Sequence, residues 1–203
     1  MRLVDGDGDD VLVGDPGELL VRGPNVFAGY WNDQEATDRV ITADGWLRTG
    51  DVGVVDDDGN VYLVDRAKDL IIVSGFNVFP AEVEEIICEM PGVAECAVVG
   101  VADALKGQVA MAFVVLRDPS KAAATDARLA LEGELMATVD KQLGAVARPS
   151  RVHFVGSLPK TRSGKVLRRS IQAICEARDP GDLTTIEDPS ALEQVRQALG
   201  SGA

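Results

Sequence analysis

Cations are scarce in this chain of 203 residues: 20 lysines and arginines stand against 33 aspartates and glutamates, a net charge of −13. That deficit excludes a sequence-independent grip on nucleic acid, which needs surplus cationic side chains to displace counterions. There is one histidine, His153. It lies in a short apolar run without a Cys or His partner at ligand spacing, and so reads as a packing residue rather than a metal ligand. The three cysteines, Cys88, Cys96 and Cys175, are odd in number and show no C-x-x-C spacing. They read as buried thiols in a reducing compartment. No apolar run approaches the length needed to span a bilayer, and the opening MRLVDGDGDD lacks the apolar core of a signal peptide. A cytoplasmic protein with no transmembrane segment and no nucleic-acid partner is the expectation. Internal repeats are absent too.

What is present is the composition of an ordinary globular protein, 46% hydrophobic and 26% charged, in a chain long enough to bury a core. As far as Val64 the pattern is short apolar runs broken by glycine and acidic turns. Leu19-Leu20-Val21 reads as a short strand, and Ala36, Arg39 and Val40 share the spacing of a short helix. Val52–Val55 and Val61–Val64 flank Asp56-Asp57-Asp58-Gly59-Asn60, a hairpin signal because Asp-Gly-Asn tolerates positive φ. The acidic run Asp5–Asp10 is not an EF-hand loop, which would need Gly at Asp10 and Glu at Pro16; it reads as a solvated turn. So few strands cannot close a barrel, so this part reads as the end of a β-rich, barrel-like subdomain.

After Pro80 the period changes. Val83, Ile86, Ile87 and Met90 form a helical stripe with Pro80 in its first turn, and Pro91-Gly92 ends it. Val93–Val101 and Val109–Leu116 read as two buried strands. A longer helix runs from Thr125 or Asp126 to about Leu143, with Leu131, Leu135, Val139 and Leu143 aligned and Leu129 and Met136 widening the face. Arg151–Val155 reads as a strand, and Val166–Ala177 as a helix with Leu167, Ile171, Ile174 and Cys175 inward. The order strand-strand-helix-strand-strand-helix-strand-helix predicts a small α+β domain with a mixed sheet and flanking helices. The expected divisions are residues 1–66, 67–178, and a linker with tail helix over 179–203.

Four stretches carry a further signal: GELLVRGPNVFAGYW at Gly17–Trp31, WLRTGD at Trp46–Asp51, LVDRAKDLIIVSGFNVFPAEVE at Leu63–Glu84, and LPKTRSGKVLRR at Leu158–Arg169. The last is not a Walker loop, since Pro159 occupies the first glycine position and Val166 the Ser/Thr position. In order and spacing the four resemble the carboxyl-terminal third of the adenylate-forming acyl-CoA synthetases. The resemblance implies ATP, a carboxylic acid and CoA as substrates. A carboxylic acid and ATP give an acyl-adenylate and pyrophosphate, and a thiol then displaces AMP. It also implies roles for particular residues. Asp51 matches the aspartate that accepts the ribose hydroxyls, while the bare Thr-Gly-Asp reads first as a turn-stabilising aspartate. Arg66 offers a fork of donors to the same nucleotide, although Asp65 stands where the family commonly has Gly, which leaves a structural Asp65–Arg66 pair open. Lys68 matches the hinge position, or is a plain turn lysine. Gly75 matches the loop lining the CoA pantetheine tunnel, or is a turn glycine needing positive φ; only the turn glycine would tolerate Asn. Lys165 matches the lysine that bridges the substrate carboxylate and the α-phosphate. Lys165 and Gly75 would then belong to opposite faces of a domain that rotates between the two steps.

The family's phosphate-binding loop, acyl site and magnesium-serving acidic residue have no counterpart in these residues. The expectation is therefore a fragment missing its amino-terminal domain, inactive alone, with its magnesium ligands elsewhere. An adenylating module of peptide-synthetase type shares nearly all the motifs, but no Gly-Gly-x-Ser-type carrier attachment site follows. A noncatalytic nucleotide-binding fragment is the third reading.

Overall fold

The computed structural model describes residues 1–200, which form an α+β architecture in two compact units, Met1–Lys68 and the chain from Asp69 onward. The first unit holds strands β1 (Arg2–Val4), β2 (Gly17–Val21), β3 (Leu47–Val55) and β4 (Val61–Arg66), with helix α1 (Gln34–Val40) between β2 and β3. All pairs are antiparallel in the order β1-β2-β3-β4, an open sheet. The acidic hairpin turn forms as its composition predicts: Asp56 Oδ1 accepts the N–H groups of Asp58 and Asn60, and Gly59 takes φ +82°. Asp33 caps α1 by accepting the Ala36 N–H. Asp5 likewise closes its own turn, accepting the N–H groups of Asp7 and Asp9.

The second unit contains β5 (Ile71–Val73), β6 (Phe76–Val78), α2 (Pro80–Glu89), β7 (Val93–Asp103), β8 (Gly107–Leu116), α3 (Thr125–Leu143), β9 (Arg151–Phe154), α4 (Arg168–Cys175) and α5 (Ser190–Gly200). Its sheet runs β6-β5-β8-β7, and β9 joins β8 in parallel, the one parallel pair among the described strands. The long β7–β8 hairpin has apolar residues on both faces because both are covered. Cys96, Val98, Ala110, Ala112 and Val114 pack with Val83 and Ile87 of α2 and Leu135 and Val139 of α3. Ala97, Val99 and Phe113 point the other way, onto Ile171 and Ile174 of α4 and Leu192 and Val195 of α5. Successive strand residues face opposite sides, so one continuous apolar run serves two cores. The tail is part of the second core, with Ile186 buried there as well.

Four details differ from the sequence expectation. The segment after Ser74-Gly75, to which the sequence assigned no strand, forms β6 and makes Ser74-Gly75 the turn of a hairpin. Leu129 and Leu143 face solvent. Leu129 lies six positions before Leu135, well off its face at 100° per residue, and Leu143 closes the helix before Gly144. The fourth helix is shorter than 166–177, because Val166 instead pairs with Lys160 in an isolated β-bridge. Finally, only Cys96 is buried. Cys175 is half-buried and Cys88 exposed, and all three are free thiols. Burial raises the Cys96 thiol well above its ordinary value and pushes Cys175 up to about 12.

His153 packs rather than reacts. Its ring stacks on Phe113 at 5.3 Å, and Nδ1 lies 3.2 Å from the Ala198 carbonyl oxygen of α5. Burial, the largest cause, pulls its pKa below the ordinary value, and the Ala198 contact opposes without reversing the shift. A histidine that folds neutral favours the unfolded chain once that chain takes up the proton. Stability is therefore full above about pH 6.5 and falls as pH drops below it. The urea midpoint is expected to decrease between pH 7.5 and 5.5, and His153→Phe should flatten that slope. A wild-type midpoint constant across this range would contradict the account.

Candidate functional site

In the first unit, Thr49-Gly50-Asp51 stands out of register. Glu18 pairs with Val52 and Leu20 with Arg48, so three residues of β3 face one of β2 and bulge. Gly50 takes φ +71°, which a Cβ would resist. Thr49 pins the bulge by donating Oγ1–H to the Leu19 carbonyl and accepting the Asp51 N–H. On the other side Asp51 pairs directly with Arg66 of β4, and Arg66 Nε donates to Asp51 Oδ1 at 2.8 Å. Both side chains remain partly open, at 30% and 42% exposure. The two residues singled out for a nucleotide are thus one another's partners. Asp65 instead accepts the Arg66 backbone N–H at 2.7 Å. Lys68 is exposed and is the last residue of this unit.

In the second unit, Ser74 and Gly75 turn the β5–β6 hairpin with φ of +52° and +86°, a two-residue turn in which both residues are left-handed. A Cβ at Gly75 would meet nothing within 4 Å. Within this chain the backbone angle accounts for the glycine, and any steric demand would have to come from a surface outside it.

The lysine stretch forms a second hairpin. Lys160 bridges Val166, Thr161 N–H donates to the Lys165 carbonyl at 2.8 Å, and Gly164 N–H donates to the Thr161 carbonyl at 2.8 Å. Gly164 takes φ +83°, and Thr161 Oγ1 accepts the Lys165 N–H. The two lysines differ in environment. Lys160 Nζ reaches Glu95 Oε1 at 2.6 Å, whereas Lys165 is exposed and has no ion-pair partner among the described residues. A free ammonium group on a closed hairpin is a ready anion contact.

Gly75 and Lys165 occupy opposite ends of the sheet. Val73 pairs with Gly107, which pairs with Asp103 at the end of β7, while Lys160 is tied to Glu95 near its start. Eight residue steps along β7 separate the two attachment points, roughly 26 Å at 3.3 Å per residue.

The sequence did not reveal how the lysine hairpin is mounted. Arg168, in the first turn of α4, forks onto Glu84 of α2 through Nε–Oε1 at 3.0 Å and Nη2–Oε2 at 2.5 Å. Glu84 Oε1 also accepts the Val98 N–H of β7 at 2.8 Å. The residues involved are far apart in the chain, and no local pattern marks them as partners.

An open groove of about 490 Å³ between α3, β9 and α5 is lined by Arg128, Glu132, Arg151 and Gln194, among others. It contains none of the residues matched above.

Comparison with known proteins agrees with these motifs. Residues 82–165 match the family model of the AMP-binding enzyme C-terminal domain. Residues 82–165 are thus an AMP-binding enzyme C-terminal domain, and the chain is similar to the carboxyl-terminal portion of acyl-CoA ligases. It is 46% identical over 202 residues to the propionate–CoA ligase of Escherichia coli strain K12, covering 95% of this chain and 32% of that protein. It is 44% identical over 171 residues to the long-chain-fatty-acid–CoA ligase of Escherichia coli O157:H7, covering 84% and 29%. Among solved structures it resembles ATP-bound MatB from Rhodopseudomonas palustris, with 39% identity, a TM-score of 0.73, and coverage of 85% and 34%. The chain spans about a third of the length of the curated relatives it matches.

Proposed function

We propose that this chain is the carboxyl-terminal catalytic part of an acyl-CoA ligase that converts ATP, a carboxylic acid and CoA to acyl-CoA, AMP and pyrophosphate. The observation that carries this reading is Lys165, exposed on its closed hairpin and without an ion-pair partner among the described residues, beside a match to the AMP-binding enzyme C-terminal domain. In the first step a carboxylate oxygen bonds to the α-phosphorus and pyrophosphate leaves. Lys165 faces the negative charge on both reacting partners, and a fixed cation there stabilises the transition state. In the second step the CoA sulfur bonds to the acyl carbon, the bond to the phosphate oxygen breaks, and AMP leaves.

Asp51 would accept the ribose hydroxyls with Arg66 holding its carboxylate, and Arg66 would also reach the nucleotide. The open exposure of both supports this. Lys68 would be the hinge, a solvated side chain at the end of one unit, and the Ser74-Gly75 turn would present bare backbone to the pantetheine arm. The placement of Gly75 and Lys165 at opposite ends of one sheet suits use in different steps. ATP-bound magnesium and the acyl chain would be held by residues outside this chain. Propionate and long-chain relatives match at nearly equal identity, so acid choice is assigned elsewhere too. The setting would be the cytoplasm, where ATP and CoA are supplied and thiols stay reduced.

The experiment is ATP–pyrophosphate exchange, first on the 203-residue chain and then on a joined ligase, in which this chain follows the amino-terminal portion of the Escherichia coli propionate–CoA ligase. The chain alone should give no exchange, and the joined ligase should give propionate-dependent exchange and propionyl-CoA. Turnover by the chain alone, or a joined ligase that binds ATP and propionate without exchange, would overturn the reading.

A further inference from the structure

The lysine hairpin is held by contacts outside itself. A lysine carries its charge on four flexible carbons, so its position depends on the backbone beneath it. That backbone is fixed on three sides by groups that never touch the Lys165 ammonium. At its entry, Lys160 is bound to Glu95. At its exit, Arg168 is held bidentately by Glu84, whose side chain is 14% exposed and is itself fixed by the Val98 N–H. Along its outer edge runs the segment Thr185–Glu187, which lies beyond the stretch matched to the family model. There Arg162 N–H donates to the Thr185 carbonyl at 3.1 Å, and Glu187 N–H donates to the Lys160 carbonyl at 2.9 Å. Ile186, between them, bridges Thr161 and is buried in the second core.

We infer that Glu84 and Glu95, together with the strap Thr185–Glu187, are positioning groups for Lys165 in adenylate formation. This rests on the reading of Lys165 as the adenylating cation. Ion pairs as exposed as Lys160–Glu95 contribute little to overall stability, so a purely structural role would leave little for Glu95 to do. Displacing a reacting group by about 1 Å can cost 10²-fold in rate, and these contacts hold the backbone that carries Lys165. The bidentate fork is the stiffer anchor, since its two parallel bonds fix orientation as well as distance.

The test has two arms. On the 203-residue chain, Glu84→Gln should speed hydrogen exchange at the Thr161, Gly164 and Leu167 amides by about tenfold or more, leaving the Ala112 and Val114 amides unchanged. In the joined ligase, Glu84→Gln should lower kcat for adenylate formation by about 10²-fold and Glu95→Gln by about tenfold. The KM for the acid should change by less than about twofold, because the acid site is untouched. Thioester formation from supplied acyl-adenylate should keep its rate. Lys160→Arg, which preserves the partner of Glu95, should retain activity where Lys160→Met loses it. If Glu84→Gln prevents folding, Glu95→Gln decides alone. Unchanged hairpin exchange, or equal loss of both half-reactions, overturns the inference. If Lys165→Ala also leaves adenylation intact, the functional reading itself has failed; if Lys165 is required and the anchors are not, only the positioning role falls.

Discussion

Replacing Lys165 with alanine in the joined ligase is expected to lower acyl-adenylate formation by about 10²–10³-fold, the usual loss for one preorganised charge contact. Thioester formation from supplied acyl-adenylate should proceed at its normal rate, because the step proposed above uses the Gly75 end of the sheet and not Lys165. The substitution leaves folding intact: the side chain is exposed and has no ion-pair partner among the described residues, so stability should shift by no more than about 0.5 kcal/mol. Lys165→Arg keeps the charge but replaces a compact ammonium with a planar fork, and should recover only part of the rate. Exchange kinetics and a urea titration on the same preparations provide the check. An alanine variant that adenylates propionate at the parental rate would remove the chemical basis of the proposal.

Phe113→Ala is the substitution expected to damage the fold most. Phe113 is fully buried on β8, pairs with His153 of β9, and packs with Ile171, Ile174, Leu192 and Val195. Removing a buried aromatic ring costs about 3–5 kcal/mol through lost transfer energy and the cavity left behind. Domains of this kind hold only about 5–15 kcal/mol in total, so the unfolding midpoint should fall steeply and the tail helix should lose its seat first. Phe76, 63% exposed on β6, is the control: alanine there should stay within about 0.5 kcal/mol. Equal midpoint shifts for the two variants, measured by urea titration, would show that the second core does not hold the unit together.

Much of the fold was legible because it is local. Pro80 with Val83, Ile86 and Ile87 spells a helix at any tertiary context, and Asp56–Asn60 spells a turn through its own side chains. Both apolar runs of the β7–β8 hairpin read as buried strands. The misses have local causes as well. Phe76-Asn77-Val78 is too short to show a period, so β6 was invisible beside the glycine turn. Leu129 and Leu143 are apolar, and composition alone could not tell a packed leucine from one at the edge of a helix. Cys88 follows the buried Ile87 by one residue, a rotation of 100° that carries it to solvent.

The candidate site divides in the same way. Periodicity by itself predicted the α+β class, and the resemblance carried by the four motifs singled out Asp51, Arg66, Lys68, Gly75 and Lys165. Only the tertiary structure decided that Arg66 bonds Asp51 across two strands, that Gly75 is a hairpin turn open to solvent, and that Lys160 and Arg168 are ion-paired while Lys165 has no such partner among the described residues. The reason is separation along the chain: Lys160 finds its carboxylate 65 residues away and Arg168 finds its own 84 residues away. Short-range periodicity records which way a side chain faces, whereas its charged partner is chosen only when the sheet and helices bring distant segments together.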